Sequence, residues 1–176
     1  MNRIAKTLHF DAGLLTLTSI SIEQTIAFGR WLANHLVADD IVSLDGDLGA
    51  GKTALTRGLA EGLGCQGPVS SPTFTLLIEH PAQLGGLALF HFDAYRLSDS
   101  GSFCEIGLDE YFTQKGVSVI EWGEVIADIL PTQTLYILLS QQDLNQPDSR
   151  QIEITWPGCP DRLAALIQRL KEDDSC

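Results

Sequence analysis

No stretch of the sequence approaches the roughly 20 consecutive apolar residues of a membrane span. The opening residues 1–6 are mildly basic, but no long apolar segment follows them, so a secretory signal is not expected. Cysteine is sparse. Cys65, Cys104, Cys159 and Cys176 form no Cys-x-x-Cys pair, which argues against a zinc site or a disulfide framework and for reduced thiols in a cytoplasmic protein. Cations are also few: 11 Lys and Arg stand against 23 Asp and Glu, a net charge of −12. Binding to nucleic acid by counterion release needs clustered Lys and Arg, so any nucleic-acid role must be indirect. The acidity reads first as a solvating surface. Internal repeats, low-complexity segments and a guanine-reading Asn-Lys-x-Asp are all missing.

What is present is a 176-residue chain with 44% hydrophobic residues, enough for one domain with a substantial core. We expect a single domain over 1–176, with a loosely held leader to about residue 12 and a tail over 172–176. The Thr/Leu alternation from Leu14 to Ile20 predicts a strand. Ser21 followed by Gln24 has the form of a capping box, and apolar spacing from Ile22 to Val37 predicts a helix. Strands are expected at Ile41–Asp45, Thr73–His80, Leu87–Phe92 and Val117–Trp122, with a β pair at Thr134–Ser140 and Gln151–Trp156. Helices are expected from Lys52 to about Gly62, as short pieces within Ser102–Phe112, and from Pro160 to about Lys171. Fully apolar strands mixed with alternating ones imply a mixed sheet, parallel at its centre and antiparallel at an edge.

The most informative segment is Ile41–Thr53. A short apolar strand runs into Gly46-Asp47-Leu48-Gly49-Ala50-Gly51-Lys52-Thr53, the Gly-x-x-x-x-Gly-Lys-Thr phosphate-binding loop, and helical spacing follows. Glycines let the backbone curl until several N–H groups face one anion, and the helix aims its positive end at the same place. Lys52 brings a point charge for the β/γ-phosphates, and the Thr53 hydroxyl suits Mg²⁺. The expected nucleotide contacts are Asp47, Leu48, Gly49, Ala50, Gly51, Lys52, Thr53 and Ala54.

Such a loop needs a carboxylate at the end of a neighbouring strand. Glu121 ends the apolar run Val117–Ile120, and Asp93 ends a second run. One would hold the metal and the other would orient or deprotonate water; spacing alone does not assign them. Ser70-Ser71-Pro72-Thr73-Phe74 lies where these proteins carry a switch loop, with Thr73 as the phosphate-sensing hydroxyl. Arg96 either stabilises phosphoryl charge or meets a partner, and Trp122 is read as core or as a half-exposed neighbour of the site.

The strings Gly46–Thr53, Ser71-Pro72-Thr73-Phe74, His91-Phe92-Asp93-Ala94-Tyr95-Arg96-Leu97, 105–112 and Ile120-Glu121-Trp122 together resemble the TsaE family, formerly called YjeE. The phosphate loop is shared by many families; the His-x-Asp-x-Tyr-Arg string and the Glu-Trp pair are far more specific. The resemblance runs in order from about Ser21 to Trp156. It implies a three-layer α/β/α fold of the P-loop NTPase type and a small ATPase, weak alone, that uses ATP, ADP and Mg²⁺. The implied partners are TsaD and TsaB, which place a threonylcarbamoyl group on adenosine 37 of tRNAs reading ANN codons, with tRNA met only through the complex. By the same carry-over Thr53 and Glu121 attend Mg²⁺. Asp93, Glu121, Lys52 and Thr73 serve hydrolysis or switching, and Thr25 lies near the nucleotide.

Two other readings remain at the level of sequence. A metabolite kinase would bring several arginines over the transferred phosphate, and the seven arginines here are dispersed with no lid insertion. A nucleotide-gated assembly module without meaningful turnover carries the same loop, and sequence does not separate it from a slow ATPase.

Overall fold

The computed structural model describes residues 8–141 and 146–174. Its strands are β1 (Leu8–Asp11), β2 (Leu14–Ser19), β3 (Ile41–Asp45), β4 (Leu77–His80), β5 (Leu89–Asp93), β6 (Val117–Glu121), β7 (Leu135–Ser140) and β8 (Arg150–Thr155). They form one sheet in the order β1-β2-β8-β7-β3-β6-β5-β4. The inner pairs β7–β3, β3–β6 and β6–β5 are parallel. Every residue of β5 and β6 is buried, as strands covered on both faces require. The fold is therefore the mixed, centrally parallel α/β sheet read from the sequence. Antiparallel pairing occupies both flanks rather than one, with β1–β2–β8–β7 on one side and β4–β5 on the other.

Three layers result. One face of the sheet carries α1 (Ile22–Ala33), α2 (Lys52–Leu63) and α4 (Pro160–Asp174), whose apolar residues join Leu44, Val119, Ile137 and Ile152 in one cluster. The opposite face is covered by shorter pieces, α3 (Ser100–Glu105) and 3-10 turns at Leu108–Thr113 and Gly123–Ile126. There Phe103, Leu108 and Ile126 pack on Ile41, Phe92 and Ile120.

Local chemistry sets the elements. The Ser21 side chain accepts from Gln24 N at 3.3 Å, while Gln24 Oε1 reaches back to Ile20 N at 2.9 Å, one residue before the capping-box position. Helices α1 and α2 cross at glycines. A Cβ on Gly58 would lie 2.1 Å from the Ile26 carbonyl oxygen, and one on Gly29 would lie 2.5 Å from that of Leu55. Helix α4 is pinned by Arg162, which donates to both Asp40 oxygens at 2.7 and 2.6 Å and stacks over Trp156 at 4.0 Å. That pairing raises the Arg162 pKa further.

Boundaries differ from expectation at four places, the first being α1, which ends at Ala33 with Asn34 as its C-cap rather than near Val37. Leu8–Asp11, read as part of a loose leader, forms β1 and pairs along its length with β2 as a hairpin closed by Ala12 and Gly13, both at positive φ. Residues 1–7 of that leader lie outside the described residues, as do 175–176 of the tail; α4 itself continues through Asp174 rather than ending near Lys171. Thr73 does not begin a strand. The Pro72 carbonyl accepts from Thr75 N and Leu76 N at 2.9 and 2.7 Å, and Leu76 sits at φ 65°, so the chain turns until β4 starts at Leu77.

Candidate functional site

The carboxyl ends of parallel strands are where an open α/β sheet binds ligands, and register decides which side chains meet there. Glu121, the last residue of β6, pairs with Asp93 of β5 on one side and with Leu44 of β3 on the other. Two buried carboxylates therefore stand side by side where β3 delivers the chain into the phosphate-binding loop.

The loop is shaped by glycine. Gly46, Gly49 and Gly51 all lie at positive φ, and a Cβ on Gly46 would come within 2.1 Å of the Leu139 carbonyl oxygen. Lys52 opens α2 and is buried. Its Nζ donates to the Gly46 and Asp47 carbonyls at 2.6 and 3.0 Å and lies 3.9 Å from the Trp122 ring centre. Burial lowers the Lys52 pKa below the ordinary lysine value, while Glu121, Asp93, Asp45 and Asp47 oppose that by charge.

Around the two carboxylates the hydroxyls divide. Thr53 donates to Glu121 Oε1 at 2.9 Å, and His91 Nε2 is 2.9 Å from the same oxygen. Thr73 and Ser71 donate to Asp93 Oδ2 at 2.6 and 3.0 Å, and Tyr95 N donates to Oδ1 at 3.0 Å. The segment read as a switch loop is thus tied to one carboxylate and the helix to the other. The half-open cavity between them, about 380 Å³, is lined by the loop from Leu48 to Thr53, by Ser71 and Thr73, by both carboxylates, and by Tyr95 and Trp122. Its volume falls in the range of small-ligand sites, roughly 300–1,000 Å³.

The structure thus brings together Leu48, Gly49, Ala50, Gly51, Lys52, Thr53, Thr73, Asp93 and Glu121. Asp47 contributes its carbonyl to Lys52 but does not line the cavity, nor does Ala54. Thr25 stands apart: it is buried, with its hydroxyl 2.7 Å from Ser19 Oγ and 3.3 Å from the Ser21 carbonyl oxygen. Arg96 lies over Phe74, with 4.4 Å from guanidinium to ring centre. Trp122 is half-buried, lies with its ring tilted against that of Tyr95 at 5.0 Å between centres, and adopts the left-handed φ of 61° directly after β6.

One residue escaped the sequence reading. Arg150, at the start of β8, donates from Nε to the Ala50 carbonyl at 2.8 Å and from NH2 to the Gly49 carbonyl at 3.1 Å. It clamps the loop from 100 residues away, and only the sheet order brings it there. His91 was visible within its string but carried no assigned role.

The donor set suits a small hard cation. Thr53 in the first turn of α2 and Glu121 at the end of β6 offer adjacent oxygens, and Asp93 stands in register beside Glu121. Among the described residues no three His, Cys, Asp or Glu side chains form a metal cage. That fits Mg²⁺, which takes one or two protein ligands and completes its shell with water and phosphate.

A family model described as threonylcarbamoyl adenosine biosynthesis protein TsaE matches residues 19–152. The tRNA threonylcarbamoyladenosine biosynthesis protein TsaE of Bacillus subtilis is 38% identical over 157 residues, 89% of this chain and 94% of that one. The protein of that name from Streptomyces coelicolor is 53% identical over 132 residues, 74% and 88% of the two chains. The crystal structure of YdiB from B. subtilis superposes with a TM-score of 0.73 at 33% identity, covering 97% of this chain and 99% of the other. With the phosphate loop, the paired strand-end carboxylates and the sheet in place, the chain belongs to the TsaE family of threonylcarbamoyl adenosine biosynthesis proteins.

Proposed function

We propose that the chain is a single-domain cytoplasmic ATPase that drives an accessory step in threonylcarbamoyl modification of adenosine 37 in tRNA. In this reading it acts with TsaD and TsaB and meets tRNA only within that complex. One observation carries it: the loop that presents Lys52 and Thr53 faces Asp93 and Glu121 across one cavity. The backbone N–H groups of Gly49–Thr53 and the start of α2 receive the phosphates. Lys52 shifts its ammonium from the loop carbonyls to the β/γ-phosphate oxygens. Thr53 and Glu121 hold Mg²⁺, which when bound neutralises charge on those oxygens. Asp93, held by Ser71, Thr73 and the Tyr95 N–H, orients the attacking water. Thr73 couples that carboxylate to the segment before β4.

The rim supports a protein partner. Leu48 and Tyr95, which line the cavity, expose 85% and 55% of their surface, and Phe74, next in sequence to the lining residue Thr73, exposes 84%. Large apolar residues grouped beside a site mark an interaction surface more often than scattered ones do.

The test is phosphate release from ATP by the chain alone and then with TsaB and TsaD. Release should be slow alone and stimulated in the mixture, and the three proteins should co-elute only with ATP. Absence of both stimulation and ATP-dependent assembly would sink the proposal; assembly without any turnover would favour the nucleotide-gated module. K52A should weaken ATP binding at least about tenfold, the loss of one charge-assisted contact of about 1.5–3 kcal/mol. E121A should reduce Mg²⁺-dependent hydrolysis more than it reduces nucleotide affinity.

A further inference from the structure

Two buried side-chain nitrogens lack a hydrogen-bond partner among the described residues: Nε2 of His80 and Nδ1 of His91. His91 is fully buried in the middle of β5, on the sheet face that carries α2. Its neighbours on that face, Leu89 before it and Val119 across from it, are apolar. An imidazole at such a place loses hydration that a leucine would not need. Among the described residues its ring's one polar contact is Nε2 to Glu121 Oε1, at 2.9 Å. With no acceptor at Nδ1, the ring carries its proton on Nε2 and donates it to the carboxylate.

We propose that His91 is the positioning residue of Glu121, holding the carboxylate in the orientation that serves the cation. The proposal rests on the reading of Glu121 and Thr53 as the Mg²⁺ pair. A glutamate carboxyl turns easily about its last torsion, and the Thr53 hydroxyl alone, itself a rotor, does not stop it. A second donor on a rigid ring does. Both bonds fall on Oε1, so Oε2 carries neither of them, and Glu121 lines the cavity. His91 is in turn fixed by β5 and by the His80 ring, 6.1 Å away centre to centre. This is the arrangement by which a neighbour outside the coordination sphere raises metal affinity without touching the metal.

Three variants separate positioning from packing. H91L removes the donor, H91Q can place an amide N–H near the Nε2 position, and H91N keeps polarity but is too short to reach Oε1. The readouts are Mn²⁺ affinity by electron paramagnetic resonance, with each protein saturated by a non-hydrolysable ATP analogue, and analogue affinity in EDTA by fluorescence. H91L and H91N should weaken Mn²⁺ by about 10- to 100-fold, as loss of such outer partners does, with analogue affinity in EDTA unchanged. H91Q should recover most of the loss. Wild-type Mn²⁺ affinity in H91L and H91N overturns the proposal, and so does an H91Q variant no better than H91N, since that would make the ring packing only. Where H91L fails to fold, the H91Q and H91N pair decides. Wild-type protein that binds the analogue without retaining Mn²⁺ would overturn the Mg²⁺ pair itself, and this proposal with it.

Discussion

Arg150 holds the phosphate loop in a way no residue of the loop itself does. Its guanidinium spans two consecutive carbonyls, those of Gly49 and Ala50, and a third and fourth at Pro147 and Ser149. With the Ala50 carbonyl engaged by Arg150, the Gly51 N–H of the same peptide points the opposite way, while the Ala50 N–H donates to the Asp47 carbonyl within the loop. R150A should therefore reduce ATP affinity by about tenfold, the equivalent of roughly 1.5 kcal/mol for charge-assisted bonds. R150K should fall between, because an ammonium lacks the planar fork that reaches two carbonyls at once. Isothermal titration with an ATP analogue checks both; equal affinity in all three proteins would mean that the glycine backbone needs no clamp. A second residue sets a pH limit. Burial, and then the neighbouring His91, lower the His80 pKa below its ordinary 6.5. Below that value the unfolded chain takes up a proton at this position that the folded chain refuses, so stability falls as pH drops through 6.5 toward the lowered folded value. Urea midpoints should decline on that acid side, and less steeply in H80F.

Among the elements, the crossing of α1 and α2 fixes where the loop points, because α2 begins with Lys52. The contact is backbone to backbone at Gly58, whose added Cβ would meet the Ile26 carbonyl oxygen at 2.1 Å. Neither helix has a flexible side chain there to move aside. G58A should cost about 1–3 kcal/mol or more, the range for overpacked cores, despite alanine's better helix propensity. Chemical denaturation measures the loss, and an unchanged midpoint would show that the helices slide apart freely.

These elements also show how much the sequence carries. The β3 run, the loop, the α2 helix and the strand ends at Asp93 and Glu121 are legible because the signal is local: apolar residues, then glycine or acid. Ser21 announces α1 by the same logic. β1 is easily overlooked because Leu8-His9-Phe10-Asp11 alternates over only four residues, and its Ala12-Gly13 turn is not one of the strongest hairpin signals. The turn after Pro72 was missed because Thr, Phe and Leu favour strands while one carbonyl takes two N–H donors and bends the chain. Arg150 belongs to the same class, since its target lies across the sheet. Sequence periodicity reports the partners a residue needs, not which distant residue supplies them.

At the scale of the molecule, charge and topology pull toward the same reading of its surroundings. The sheet's parallel centre makes one site at one end, and the net charge of −12 surrounds that site with a field that repels polyanions. In the proposed function ATP would overcome the field because backbone N–H groups, Lys52 and a divalent cation would be concentrated in a small cavity. A tRNA backbone presents many phosphates over a wide surface, and the 11 basic residues of the chain are dispersed. Among the described residues at least four of those cations are further engaged with protein groups: Arg30 with Glu61, Arg162 with Asp40, and Lys52 and Arg150 with the loop. Without cations to release counterions, the affinity that drives non-specific binding, about 10⁻⁴ to 10⁻⁶ M for basic proteins at physiological salt, has no source. Fluorescence anisotropy with labelled tRNA should therefore show no saturable binding by the chain alone at 0.1 mM protein, an order-of-magnitude ceiling set by that range. Adding ATP should not change this. Signal should appear only with TsaB and TsaD present, and its dependence on salt should match that of TsaB and TsaD without this chain. Tight, salt-sensitive binding by the chain alone would require a basic face assembled against the net charge, and would place tRNA in direct contact with this protein.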